Sequence, residues 1–198
     1  MDWSIFHWLN DATRGNDGAQ DTAELFNASA IFVLVGIGGG LWLLARPGGP
    51  LRWKLATASA ALSAVLGLAI NALLSMLWYD PRPFVSHPTQ TLLLVRHGPD
   101  NGFPSDHATV AFSIAFAVLA FSRPLGAVLL GAAAGIALDR IFVGVHYPLD
   151  VFVSLLVGLG SALVVTMIGR PYVTRLALVI SHATDPLVAA LRRPTARS

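Results

Sequence analysis

The sequence predicts an all-α membrane bundle of five helices that cross the bilayer, with a sixth crossing left open. Of its 198 residues, 55% are hydrophobic and only 12% are charged, about half the charged fraction of a typical soluble domain. The apolar residues are grouped in runs of about 20, the length needed to cross about 30 Å of hydrocarbon. These observations exclude a disordered chain, a collagen and a coiled coil, and they indicate an integral membrane protein.

Five apolar runs are predicted to span the membrane. They cover about residues 24–45, 55–78, 106–122, 124–144 and 149–169. Turn-forming sequences separate them: a Pro-Gly-Gly-Pro segment follows the first run, and Arg123-Pro124 divides the third from the fourth. Two glycine pairs spaced four apart, Gly36/Gly40 and Gly131/Gly135, are predicted to allow close helix contact.

The two ends of the chain are predicted to lie outside the spans, within a single domain of residues 1–198. Residues 1–23 place several aromatic side chains among polar neighbours, which is typical of an amphipathic segment lying in the membrane interface. Residues 172–191 are moderately apolar but contain Arg175 and Asp185. We expect residues 170–198 to form a cytoplasmic amphipathic tail, with a sixth span as the alternative.

The charges predict the orientation of the bundle. Five spans put nine of the 13 Lys and Arg residues on one side, and ten of the 11 acids on or near the other. The basic side receives Arg46, Arg52, Lys54, Arg123, Arg170, Arg175, Arg192, Arg193 and Arg197. Because cytoplasmic loops carry the excess of Lys and Arg, this side is predicted to be cytoplasmic and the 79–106 loop to face outward.

Three polar clusters stand at the ends of predicted spans on the outward side. Their residues are Arg82 between two prolines, Ser105 with His107, and Arg140 with His146 and Asp150. Ionisable side chains at membrane depth are costly and therefore mark functional sites by default. Three such clusters facing the same side predict one reaction site there.

His146 and Asp150 are spaced so that the carboxylate can accept a hydrogen bond from one imidazole nitrogen, which leaves the other free as a nucleophile. The alternative is that Asp150 only favours the positive end of a helix. Ser105 is a good N-cap residue at a helix start whose free N–H groups can hold phosphate, and His107 stands close enough to donate a proton. These two residues could equally be an ordinary cap and an interfacial histidine.

Two arginines complete the predicted site. The planar donor fork of Arg82 suits phosphate oxygens, and Arg140 needs an anion partner unless it reaches the interface as a snorkelling side chain. The chain contains no cysteine, which rules out thiolate metal ligands. No carboxylate-rich cage is visible. The residues therefore predict phosphoryl transfer without a metal or another cofactor.

Three motifs in this sequence resemble the three signature motifs of the type-2 phosphatidic acid phosphatase superfamily. They are Arg82-Pro83, Pro104-Ser105-x-His107 and Arg140-x5-His146-x3-Asp150. The finer pattern, including Phe103-Pro-Ser-Asp-His107, resembles its bacitracin-resistance branch of undecaprenyl pyrophosphate phosphatases. The resemblance implies that a polyprenyl diphosphate lipid is hydrolysed at the outer face of a bacterial inner membrane, which recycles the lipid carrier of peptidoglycan synthesis. It implies no cofactor and no nucleic acid partner; the oligomeric state is open.

The resemblance also implies residue roles. His146 would be the nucleophile that forms a phosphohistidine, Asp150 would orient it, and His107 would protonate the leaving group. Arg82, Ser105 and Arg140 would bind phosphate. His87 is expected either to hold the second phosphate of a diphosphate or to be an ordinary loop histidine.

Three positions depart from the superfamily pattern. Ser75 stands where the first motif has a lysine, Asp106 replaces a glycine and Asp139 replaces a serine. The alternatives to the branch assignment are a phosphatase of another lipid, namely phosphatidylglycerophosphate, phosphatidic acid or lipid A, and a membrane transporter. A transport path needs polar groups near the midplane or on both sides, whereas the polar residues here are concentrated on one side.

Overall fold

The computed structural model describes residues 2–45, 47 and 49–191, and these residues form helices and connecting loops but no β-strand. The helices are α1 (Asp2–Asp11), α2 (Asp17–Leu44), α3 (Arg52–Leu77), α4 (Pro83–Ser86), α5 (Asp106–Leu119), α6 (Arg123–Phe142), α7 (Pro148–Leu163) and α8 (Arg170–Leu191). A π-helical turn over Val164–Ile168 extends α7. The predicted all-α membrane fold is confirmed.

Four of the predicted spans are helices long and apolar enough to cross a membrane: α2, α3, α6, and α7 with its π turn. The third predicted span is shorter than residues 106–122, because α5 has 14 residues and a length of about 21 Å at 1.5 Å per residue. It lies at the centre of the bundle, packed against α3, α6 and α7. Enclosed by protein, α5 does not need to match the full thickness of the bilayer.

Helix α2 begins well before the predicted start at residue 24. Asn16 caps it, since the Asn16 side chain accepts a hydrogen bond of 3.1 Å from the backbone N–H of Ala19. Asp17 then lies in the first turn, where a carboxylate is favoured by the helix dipole. The acidic stretch that was predicted to be interfacial therefore contributes the first turns of a spanning helix.

Of the two glycine pairs predicted to allow close helix contact, only Gly135 lies against another helix, where a Cβ would be 3.5 Å from the ring of Phe26. A Cβ built at Gly36, Gly40 or Gly131 would meet no described atom within 4 Å. Closer approaches between helices occur at Gly126, where a Cβ would lie 2.3 Å from the Cα of Leu119, and at Gly158, where a Cβ would lie 2.7 Å from the Cβ of Phe112. Backbone contact between α5 and α7 therefore depends on Gly158, which allows α7 to lie directly against the central helix.

Helix α8 packs along the ends of α2 and α3 that are remote from the loop carrying Arg82. Its buried residues Val173 and Ala177 contact α3, Asp185 pairs with Lys54, and the Trp42 indole N–H donates to Thr184. It is not among the helices apolar enough to cross a membrane. Its predicted cytoplasmic location stays a prediction, and residues 192–198 lie outside the described residues.

Five of the nine cations assigned to the basic side lie at the end of the bundle opposite the polar clusters. Arg52 and Lys54 begin α3, Arg123 begins α6, and Arg170 and Arg175 lie in the first turns of α8. The other four, Arg46, Arg192, Arg193 and Arg197, lie outside the described residues.

Helix α1 is fixed to the loops at the polar end of the bundle by the fully buried Asn10. The Asn10 side-chain amide donates to the carbonyls of Leu92 (2.8 Å) and Phe142 (2.9 Å), and its carbonyl accepts from the N–H of Leu92 (2.8 Å). Phe6 is also fully buried and packs edge-on against Tyr147. Helix α1 therefore packs against the segment between α6 and α7 and holds it in place.

We expect Asn10→Ala to destabilise the protein by about 2–3 kcal/mol, because it leaves three partly buried backbone groups of Leu92 and Phe142 without partners. Thermal unfolding in detergent measures this loss. Asn16→Ala is the matched control, since it removes only an exposed helix cap, and the typical cost is about 1 kcal/mol. Equal losses in the two variants would contradict the role assigned to Asn10.

Candidate active site

The turn between α6 and α7 presents His146 to the interior of the bundle end. The backbone N–H groups of Val145 and His146 both donate to the carbonyl of Arg140, at 3.2 Å each. Gly144 has φ +86°, and a Cβ there would lie 2.4 Å from the carbonyl oxygen of Leu92. Because a side chain would be strained in this conformation and would also collide with Leu92, only glycine fits this turn.

The hydrogen bonds of His146 define its tautomer. Its Nδ1 lies 2.8 Å from the carbonyl oxygen of Gly102, which can only accept, so Nδ1 carries the proton in the neutral ring. The other nitrogen, Nε2, therefore carries the lone pair, and Nη1 of Arg82 donates to it at 3.2 Å. The imidazole is held in the form that a nucleophile requires.

Asp150 does not make the predicted hydrogen bond to His146. Its Oδ2 lies 3.5 Å from Nδ1 of His146 and instead accepts from the backbone N–H of Tyr147 at 2.8 Å. Asp150 is the third residue of α7 and acts as the acidic partner of a capping box, which directs the carboxylate to the helix start. The carbonyl of Gly102, from the loop before α5, takes the position that the prediction gave to Asp150.

Arg82 connects three parts of the site. Its Nη1 donates to the carbonyl of Val145 (3.0 Å), its Nη2 to the carbonyl of Asn101 (3.3 Å), and its Nε to the carboxylate of Asp100 (2.8 Å). Burial would raise the pKa of Asp100, but the hydrogen bond and charge of Arg82 outweigh it and hold that pKa below its usual value. Asp100 therefore remains ionised and fixes the guanidinium beside His146.

A cavity of about 600 Å³ opens in front of these groups. Its lining includes four predicted site residues, Arg82, His107, Arg140 and His146. It also includes Ser75 and Asp106, two of the positions that depart from the superfamily pattern. Further lining residues are Leu68, Asn71, Ala72, His97, Asp100, Asn101, Phe103 and Pro104. The structure thus brings two arginines and two histidines from separate motifs to one cavity.

Arg140 lines the cavity and Ser105 does not, but both have a buried polar atom without a partner among the described residues. Ser105 is fully buried, makes no side-chain cap hydrogen bond, and its Oγ has no hydrogen-bond partner among the described residues. The guanidinium of Arg140 donates from Nη1 to the Asn27 side chain, while its Nε is likewise unpartnered in the described part of the chain. Unpaired buried donors are unfavourable, and an anion at the start of α5 would satisfy them.

His87 is not brought to the cavity. Its ring stacks on Trp3 with centroids 3.7 Å apart, and its Nδ1 lies 3.3 Å from the hydroxyl of Tyr147. These contacts attach α1 to the loop after α3. The placement favours the alternative that His87 is a loop histidine, and it gives no support to a role with a second phosphate.

Sequence reasoning missed the residues that hold the predicted ones in place. Asp100 and Gly102 lie in a loop with no recognisable pattern, and Asn27 lies within an apolar helix. Asn71 donates to the carboxylate of Asp106 at 2.8 Å, which fixes the residue that departs from the superfamily glycine. The sequence offered one signal for these supporting residues, an Asn within an apolar span, because a buried amide needs hydrogen-bond partners nearby.

Burial lowers the pKa of His146 well below its ordinary value of 6.5, and the nearby charges of Arg140 and Arg82 lower it further. Below about pH 6.5 the unfolded chain binds a proton that the folded chain does not, so His146 costs stability as the pH falls. We expect the melting temperature of the wild type, relative to His146→Gln, to fall between about pH 8 and about pH 5.5. A constant difference over this range would contradict the burial of a neutral ring.

No group of three or more His, Asp or Glu side chains in the described residues is arranged to hold a metal ion. The two carboxylates of the cavity already have partners, since Asp100 accepts from Arg82 and Asp106 from Asn71. The guanidinium groups of Arg82 and Arg140 in the same cavity suit an anion. The arrangement can bind a phosphate and attack it with Nε2 of His146, and His107 lines the same cavity.

Comparisons with known proteins agree with this arrangement. The chain is 33% identical over 161 residues to undecaprenyl-diphosphatase BcrC of Bacillus subtilis (strain 168), covering 80% of this chain and 79% of that protein. It is 36% identical over 112 residues to the bacitracin transport permease protein BcrC of Bacillus licheniformis, covering 57% and 55%. The crystal structure of Aquifex aeolicus LpxE superposes with a TM-score of 0.57 at 26% identity, covering 82% of this chain and 93% of that chain.

The sequence model of the PAP2 superfamily matches residues 56–172, more than half of the chain. The matched region contains all three polar clusters, and each contributes a side chain to the cavity described above, whereas Ser105 and Asp150 do not line it. This protein therefore belongs to the PAP2 superfamily.

Proposed function

We propose that this protein is an undecaprenyl-diphosphate phosphatase, which hydrolyses a polyprenyl diphosphate to the monophosphate and inorganic phosphate. The observation that carries the proposal is the neutral His146, whose Nε2 faces the cavity beside the guanidinium of Arg82. The similarity to undecaprenyl-diphosphatase BcrC, along four-fifths of both chains, supports a diphosphate lipid as the substrate.

The reaction proceeds in two transfers. The lone pair of Nε2 of His146 attacks the terminal phosphorus, the Nε2–P bond forms, and the P–O bond to the lipid monophosphate breaks. His107 gives its proton to the leaving oxygen. Water then attacks the phosphohistidine, His107 takes a proton from this water, and phosphate leaves as Nε2 regains its lone pair.

The remaining predicted residues neutralise the charge of the phosphate or hold His146 in position. Arg82 and Arg140 neutralise the phosphoryl oxygens, with Ser105 and the first N–H groups of α5 as further donors. Asp150 acts on His146 through the turn, since its carboxylate fixes the backbone of Tyr147. This scheme uses no metal and no cofactor.

We also propose that the site faces outward from a bacterial cytoplasmic membrane. The cations at the starts of α3, α6 and α8 lie at the opposite end of the bundle, and by the positive-inside rule this distribution supports a cytoplasmic location for that end. An enzyme so oriented would return the lipid carrier of cell-wall synthesis to its monophosphate form and would protect cells from bacitracin.

The test is phosphate release by the purified full chain in detergent with excess EDTA, comparing undecaprenyl diphosphate with phosphatidic acid and phosphatidylglycerophosphate. We expect rapid release from the polyprenyl substrate and little from the glycerolipids. A preference for a glycerolipid would keep the histidine chemistry but assign another lipid. A strict requirement for added Mg²⁺ would contradict the metal-free scheme.

The second candidate function is transport, and what supports it is the name of the Bacillus licheniformis relative, a bacitracin transport permease protein. In the described residues the cavity that contains Arg82, Arg140 and His146 lies at one end of the bundle, and the deep residues Asn71 and Ser75 belong to that same cavity. A path across the membrane would need polar groups along its whole length. Absence of phosphate release from every lipid would favour this candidate.

A further inference from the structure

An apolar groove runs between α2 and α6 on the lipid-facing side of the bundle. Its volume is about 280 Å³. Its lining residues are Phe26, Ser29, Ala30, Val33, Leu34 and Ile37 from α2, with Leu129, Ala132 and Ile136 from α6. All but Ser29 are apolar, and several of them, such as Val33 and Ile37, are exposed on the surface.

The groove adjoins the reaction cavity, and the tightly packed junction between them is too narrow for a water molecule. Phe26, Ala30 and Ile136 line both the groove and the junction. His107 and Arg140 line both the junction and the cavity. A headgroup bound at Arg140 would therefore lie directly beside the apolar surface between α2 and α6, and the side chains of the junction must separate for its tail to pass.

The polarity changes along this route in the order that an amphipathic lipid requires. The cavity contains the cations, and the junction contains the last polar residues, Asn27, Asp139 and Arg140. Beyond it the groove is apolar and runs from Phe26 to Ile37, about 16 Å along α2 at 1.5 Å per residue. This direction leads away from the site end and into the hydrocarbon core.

We propose that the α2/α6 groove binds the isoprenoid tail of the substrate next to its diphosphate, an inference that rests on the proposed function. A cavity of this size is at the lower limit for a drug-sized molecule, about 300 Å³. The groove therefore holds only the first isoprene units, and the rest of the tail lies among the bilayer lipids. Ala132 lies in the middle of the groove, one turn beyond Ile136.

The proposal assigns specificity to a part of the chain outside the family core. Helix α2 lies entirely before residue 56, where the match to the superfamily begins. The phosphate-binding groups belong to the matched region, whereas one wall of the tail groove does not. Recognition of the lipid is thus separated from the chemistry.

The natural sequence contains no cysteine, so single cysteines report on the groove without background. Ala132→Cys places a thiol in the groove, and Ala134→Cys is the matched control, an exposed alanine on the same helix outside the groove lining. Both are combined with His146→Ala to prevent turnover. The rate of modification by N-ethylmaleimide is measured with and without undecaprenyl diphosphate in detergent.

We expect undecaprenyl diphosphate to slow modification of Ala132→Cys by about tenfold and to leave Ala134→Cys unchanged, because burial of even a few methylene groups accounts for that factor in binding. Inorganic pyrophosphate, which has no tail, should protect neither. Protection of neither cysteine by the lipid, or equal protection of both, would overturn the proposal.

A second pair of variants separates this inference from the proposed function. In the active protein, Ala132→Trp should lower kcat/KM for undecaprenyl diphosphate by about tenfold through lost tail contacts, while Ala134→Trp should not. If both variants hydrolyse the substrate at the wild-type rate, the groove assignment is wrong and the phosphatase function stands. If the wild type itself releases no phosphate from this lipid, both proposals fail.

Discussion

Replacing His146 with alanine is expected to lower phosphate release from undecaprenyl diphosphate by at least about 1,000-fold, because loss of a nucleophile removes the covalent route altogether. The other groups remain, since Arg82 is held by Asp100 and by the carbonyls of Val145 and Asn101. The measurement is the rate of phosphate release at saturating substrate, with thermal unfolding to show that the variant is folded.

His182→Ala is the control for that experiment, because His182 is exposed on α8, on the other side of the bundle. We expect it to retain wild-type activity. Acid-labile, base-stable labelling of the wild type by substrate carrying a radioactive terminal phosphate would identify the phosphohistidine. A folded His146→Ala variant with full activity would refute the assignment of the nucleophile.

The second large effect is expected at Arg82. Arg82→Lys keeps the charge but cannot bond Asp100, Val145 and Asn101 at once while also facing His146. We expect kcat to fall by about 100-fold, as when one charge-stabilising donor is removed from an active site. Asp100→Asn should cost less, because the amide oxygen can still accept from Nε.

The matched control is Arg96→Lys, which makes the same replacement at an exposed arginine in the same loop. It should leave kcat and KM unchanged. If Arg82→Lys raised KM alone, Arg82 would bind the ground state and the transition state equally, and its proposed role in charge stabilisation would be wrong.

The class of fold and the motif residues could be predicted from the sequence because their signals are local. Apolar runs of spanning length identify membrane helices without any knowledge of packing. The ends of such runs contain Arg82, His107, Arg140 and His146. An ionisable residue there is energetically costly and therefore indicates a functional site. The structure brings these four side chains to one cavity.

The partners of those residues could not be predicted, because they are set by contacts between distant segments. The carbonyl of Gly102 bonds His146 across 44 residues. The spacing of His146 and Asp150 suggested a direct hydrogen bond, but Asp150 caps α7 instead. His87 was assigned by its position in the loop, and the packing of α1 turns it towards Trp3.

The sequence by itself therefore determined that this protein is a helical membrane protein with a phosphoryl-transfer motif set, because hydrophobic periods and motif spacings are properties of the chain alone. The tertiary structure decided which tautomer His146 adopts, how short the central helix α5 is, and which helices form the tail groove. Each of these depends on backbone groups and apolar faces that meet only after α1, α2, α6 and α7 have packed. Such contacts leave no local pattern, since any buried carbonyl or apolar side chain of the right shape could supply them.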